Sequence, residues 1–117
     1  MSAPEPVHDP EAALRVVGGR AELAAHLLEL FLRELASAGA ELGRLHAANE
    51  VEALRARVHK LAGSALYCGA PRLRRACGDL ERVIAEGSDA AAVAGAMAAV
   101  LDEIEGFRGA VGGARKP

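Results

Sequence analysis

The side chains best suited to nucleophilic or metal chemistry in this sequence are four histidines, His8, His26, His46 and His59, and two cysteines, Cys68 and Cys77. An imidazole is largely neutral near pH 7, and its free nitrogen attacks an electrophile without a separate base. Neither His26 nor His46 has a histidine or cysteine four residues on, the spacing at which one helix face holds a metal. His8 falls in a polar lead. Cys68 and Cys77 lie on apolar stripes, where they read as small buried hydrophobes. His59 is the histidine with a particular setting.

His59 belongs to a segment whose apolar residues Val51, Leu54, Val58, Leu61, Ala65 and Cys68 recur at three- and four-residue steps, the period of an amphipathic helix. At 3.6 residues per turn His59 lies roughly 130° from the centre of that stripe. Beside it on the exposed side stand Glu52, Arg55, Ala56, Ala62, Gly63 and Leu66. Ala56, Ala62 and Gly63 are very small, so the ring stands clear for close approach by another protein. A mid-helix glycine costs about 1 kcal/mol relative to alanine. Gly63 therefore calls for a reason, either a partner that comes close or another helix of the same fold. Tyr67 either flanks this surface or closes the end of the bundle.

The elements that must position His59 are legible from punctuation. Asp9 before Pro10 starts a short helix at about 10–17, stopped by Gly18-Gly19. Leu23, Leu27, Leu30, Phe31, Leu35, Ala38, Leu42 and Leu45 mark a longer helix over about 20–47. Asn49 with Glu52 forms a capping-box pair that opens the third helix, which Gly69 ends. Pro71 restarts a helix carrying Leu73, Ala76, Cys77, Leu80, Val83 and Ile84, with Gly87 as its stop. Ser88 caps a last helix with Val93, Ala96, Met97, Val100, Ile104 and Phe107. The expectation is an all-α fold: an antiparallel up-down four-helix bundle with a short extra N-terminal helix. Residues 1–8 are expected as a disordered lead, 9–108 as the bundle and 109–117 as a flexible tail.

Composition supports helices. The 117 residues are 51% hydrophobic but only 3% aromatic, a core of Ala, Leu and Val rather than the residues strands favour. A net charge of −2 sets up no field for nucleic acid or an anionic membrane. The start lacks the pattern of a signal peptide, and no apolar run is long enough for a membrane span. A monomer in the cytoplasm is the expectation. Between Arg55 and Arg82, the cations Arg55, Arg57, Lys60, Arg72, Arg74, Arg75 and Arg82 face only Asp79 and Glu81 as acids. That excess either steers an acidic partner or is an ordinary solvated face.

A neutral imidazole can take a phosphoryl group, but such transfer needs in-line positioning and charge neutralisation. The chain has no Gly-rich phosphate loop followed by Lys-Ser/Thr and no dense acidic cluster for Mg²⁺. A partner would have to supply both, and ATP-dependent kinase activity is not expected.

The run Val58-His59-Lys60-Leu61-Ala62-Gly63-Ser64-Ala65-Leu66-Tyr67-Cys68-Gly69-Ala70-Pro71-Arg72-Leu73, continued by Cys77-Gly78-Asp79-Leu80-Glu81, resembles the signature of histidine-containing phosphotransfer (HPt) domains. In that family the acceptor histidine is followed by Leu or Ile, a Gly-Ser or Gly-Ala pair, a Gly-Ala/Val-x-x-Leu turn and a Leu-Glu ending. The Tyr-Cys-Gly-Ala-Pro-Arg-Leu version is similar to the C-terminal HPt domains of BarA-type hybrid sensor kinases.

The resemblance implies that His59 is phosphorylated and that Gly63 keeps space beside it. Ser64 follows in the motif, angled partly away. Many members carry a lysine three residues after the histidine, where this chain has Ala62; Lys60, directly after His59 as in the BarA type, stands about 100° around the helix. The docking surface expected on this basis comprises Arg55, Ala56, Lys60, Ala62, Gly63, Ser64 and Leu66.

The implied function is a phosphorelay carrier, not an enzyme with its own ATP site. It would exchange a phosphoryl group with the aspartates of response-regulator receiver domains and work with a hybrid sensor histidine kinase. No cofactor is expected on this chain, Mg²⁺ residing on the receiver. The rival readings are a helical interaction module that regulates a receiver or kinase without phosphorylation, and a metal-binding domain using Cys68, Cys77 and a histidine.

Overall fold

A left-handed residue just beyond a helix lets the next two amides fold back onto the last carbonyls and stops the helix without stranding polar groups. In the computed structural model, which describes residues 5–112, this device closes four of five helices. The helices are α1 (Pro10–Val16), α2 (Ala21–Ala47), α3 (Val51–Tyr67), α4 (Pro71–Ala85) and α5 (Ala90–Phe107), followed by a π-helical turn over Arg108–Gly112. Gly18, Asn49, Gly69 and Gly87 take the left-handed backbone after α1 to α4. After α3, for example, the Gly69 N–H donates to the Leu66 carbonyl and the Ala70 N–H to that of Ala65.

This explains two corrections. Asn49, with φ 55°, closes α2 instead of capping α3, whose N-cap is Glu50 without a side-chain bond; the expected capping box with Glu52 does not form. Ser88 likewise completes the end of α4 through its N–H to Val83. Asp89 takes over as cap of α5, accepting from the Ala92 N–H at 2.8 Å. The cap at Asp9 is as expected, accepting from Ala12.

α3 packs on α2 and α4, α4 on α5, and α5 returns to α2, while α1 lies on α2 and α3. The core is aliphatic around Leu35, Leu42, Val58, Leu61, Leu73, Leu80, Val100 and Ile104, with Phe31 and Phe107 edge-to-face at 5.3 Å. Leu30 and Val51, both expected on core stripes, are 44% and 42% exposed. Among the described residues, no helix is long and apolar enough to cross a membrane.

Both ends of the bundle are more extensive than expected. In the lead, Val7 packs against the core, His8 sets its ring edge-on to Phe107 at 5.2 Å, and Glu5 pairs with Arg75 at 2.8 Å. The Asp9 N–H donates to the Gly69 carbonyl at 2.7 Å. Beyond α5, the π turn buries Val111, so 109–112 is part of the fold and not tail. The remaining parts of the expected lead and tail, 1–4 and 113–117, lie outside the described residues.

Candidate functional site

α3 carries His59 on its outer face, with the side chain 80% exposed. Two helices fix that face. Toward α2, Arg57 stands about 200° around α3 from His59 and reaches Glu41 at 2.6 Å and Glu34 at 3.0 Å. The Glu34 contact is sealed from solvent and bent away from hydrogen-bond geometry, so charge holds it. Toward α4, the His59 Nδ1 lies 2.8 Å from the Glu81 carboxylate.

The Glu81 contact decides the tautomer. A carboxylate only accepts, so the proton sits on Nδ1 and the lone pair on Nε2. In this tautomer the imidazole keeps its basic nitrogen free while its other nitrogen is held by the carboxylate.

Around the ring there is open space. A Cβ built on Gly63 meets no atom within 4 Å, so no neighbouring helix requires the glycine. The expected site residues divide into two groups. Arg55, Ala56, Gly63 and Leu66 are exposed and Ala62 half-buried on the His59 side. Lys60 and Ser64, with Gly63 at their boundary, line a groove of about 470 Å³ against α2, together with Leu27, Leu30, Phe31, Glu34, Tyr67 and Cys68. Tyr67 is 51% exposed along this groove and closes nothing.

The basic run is largely neutralised. Besides Arg57, Arg72 pairs with Glu103, Arg75 with Glu5, and Arg82 with Asp79 and Glu86. The solvated-face account fits these residues. Burial pushes the Cys68 thiol up to about 11 and the Cys77 thiol to about 12, leaving both protonated and unreactive at neutral pH. Among the described residues, no three His, Cys, Asp or Glu side chains cluster to hold a metal.

Glu81 is the residue that spacing alone missed. Its signal was present: the α3–α4 link is centred on residue 69, and 59 and 81 lie at nearly equal distances from it. The Arg57 clamp was also missed, because its partners lie on α2.

The clamp carries a pH signature. The hydrogen bond from Arg57 holds the Glu41 carboxyl below its ordinary value of 4.5. Its contribution to stability is complete above that value and is lost as pH falls through the lowered one. Urea unfolding of the wild type and Glu41→Gln should differ at pH 6 and converge toward pH 2.

A model of the Hpt domain family matches residues 26–110. The chain belongs to the Hpt domain family. The match includes His59, Gly63 and Glu81, and the family is the one expected from the Val58 to Glu81 signature.

This Hpt domain is 38% identical over 99 residues to the sensor histidine kinase GacS of Pseudomonas protegens, covering 85% of this chain and 10% of that protein. It is 43% identical over 79 residues to the sensor protein GacS of Pseudomonas syringae pv. syringae, covering 67% and 9%. It therefore spans about a tenth of the length of the curated relatives it matches. No solved structure matches it significantly. Family membership gives the Hpt domain a phosphotransfer role in two-component signalling.

Proposed function

We propose that this Hpt domain is a phosphorelay carrier in which His59 takes a phosphoryl group from the aspartyl phosphate of one receiver domain and passes it to the aspartate of another. The observation that carries the reading is the exposed His59 ring with Nδ1 on Glu81 and Nε2 free. In the step, Nε2 attacks phosphorus in line, the Nε2–P bond forms, and the bond from phosphorus to the receiver's carboxylate oxygen breaks. The carboxylate leaves with the electron pair. The ring gains positive charge as it is phosphorylated, and Glu81, 2.8 Å from Nδ1, stabilises that charge.

The receiver supplies Mg²⁺ and most of the catalysis; this chain is a carrier without an ATP site. Gly63, Ala62 and Ala56 let the receiver close over His59, and Leu66 gives it apolar surface. In this reading the four long helices form an antiparallel up-down bundle, consistent with their short links. The domain works as a monomer in the cytoplasm beside a hybrid sensor histidine kinase.

The test is to mix the domain with a phosphorylated receiver and follow label into it. An acid-labile, alkali-stable phosphoprotein is expected. Receiver binding with no label on this chain would favour a regulatory module that accepts no phosphate. Glu81→Ala should slow transfer about tenfold, by analogy with losing the group that orients a metal-bound histidine, with the label still on His59; stopped-flow or quench measurements read the rate.

A further inference from the structure

A phosphoryl group on Nε2 brings up to two negative charges to a ring whose other nitrogen already faces the Glu81 carboxylate. Glu81 answers the positive charge that the ring gains, so the phosphoryl oxygens on the far nitrogen gain from a cation of their own. Ala62 provides none.

The cations around His59 can be sorted by what they already hold. Arg57 is engaged by Glu34 and Glu41 on the opposite side of α3. Arg82 is engaged by Asp79 and Glu86. Lys60 lines the groove against α2 with Glu34, and Glu41 on α2 feels its charge. The His59 ring leans the other way, onto α4.

Arg55 is different. Like Lys60 and Arg74 it is exposed and, among the described residues, makes no hydrogen bond or ion pair, but it alone of the three stands one turn from His59 on the same face of α3. It lies four residues before His59, so the two side chains rise from the same face about 6 Å apart at Cβ. A guanidinium on a long stem covers that distance, and its fork of N–H donors matches phosphoryl oxygens.

Resting on the assignment of His59 as acceptor, we propose that Arg55 is the group on this chain that contacts and stabilises the phosphoryl group, in place of the cation missing at Ala62. Arg55 acts on the phosphorylated state and leaves the free histidine unchanged.

The test separates the two claims by using phosphoramidate, a small donor that needs no receiver. Nε2 attacks phosphorus, the Nε2–P bond forms, the reagent's P–N bond breaks, and nitrogen leaves as ammonia. Wild type, Arg55→Ala, Arg55→Lys and Lys60→Ala are labelled, freed of reagent and followed by ³¹P NMR, with circular dichroism to check folding. Arg55→Ala should shorten the phosphohistidine lifetime about two- to fivefold, the scale of an exposed ionic contact. Arg55→Lys should restore most of it, Lys60→Ala should shorten it by less than Arg55→Ala does, and added salt should bring wild type toward Arg55→Ala. An unchanged lifetime in Arg55→Ala, or a loss that appears instead in Lys60→Ala, overturns the role of Arg55 while leaving His59 as acceptor. Absence of label on His59 in the wild type overturns both.

Discussion

His59→Gln will abolish acid-labile labelling of the domain by a phosphorylated receiver while leaving its helix content and melting temperature close to wild type. The loss is total because glutamine has an amide nitrogen whose lone pair is delocalised and cannot attack phosphorus. Among the described residues, the other histidines do not replace it: His8 is packed edge-on against Phe107, where burial lowers its pKa, and neither His26 nor His46 has a carboxylate on a ring nitrogen. Stability should barely change because the His59 side chain is 80% exposed and its contact to Glu81 is at the surface, where such pairs contribute about 1 kcal/mol or less. Mass spectrometry under alkaline conditions, paired with a thermal melt, checks both halves. Residual label at wild-type level would place the acceptor elsewhere.

Gly69→Ala should have the largest effect on folding. A Cβ there would meet the Asp9 carbonyl oxygen at contact far inside van der Waals range and the Ala13 Cβ at 3.2 Å. The residue also sits at φ +66°, a conformation that costs roughly 1–2 kcal/mol for a side chain. Adding the displacement of the packed N-terminal segment, typical of overfilled sites, the expected loss is about 2–5 kcal/mol, or roughly 10–25 °C in Tm. Gly87→Ala is the matched control. Its φ is the same, but nothing lies within 4 Å of the new Cβ, so it should lose only the conformational part. Equal losses in the two variants would mean that the close approach of Asp9 is not part of the stability of the fold.

Much of the fold was legible because its signals are local. Pro10, Pro71 and the glycines after α1, α3 and α4 mark helix ends by their own backbone preferences, and the apolar steps from Phe31 to Leu42 identify a buried face. The misreadings come from ambiguity that only neighbours resolve. Asn and Ser serve either end of a helix, so Asn49 and Ser88 each belonged to the helix before instead of the one after. Periodicity gives a face but not how much of it another helix covers, which is why Leu30 and Val51 remain outside. In the same way Gly63 was legible as unusual, while the empty space beside it required the surrounding helices. Glu81 required the register of α4 on α3, and the Arg57 clamp required the alignment of α2.

The Glu81 contact with His59 joins two helices connected by only the residues 68–70. Once both helices have formed, closing so short a link costs little chain entropy, and the contact spans 22 residues of sequence. The contacts of Glu5 with Arg75 and of His8 with Phe107 instead span most of the chain. The imidazole is therefore oriented by a contact within one helical hairpin, while the N-terminal segment braces that hairpin at its link, where Asp9 bonds Gly69. One contiguous stretch from His59 to Glu81 thus contains both partners of the contact that orients the imidazole, and the face it stands on is braced from outside that stretch by Glu34 and Glu41.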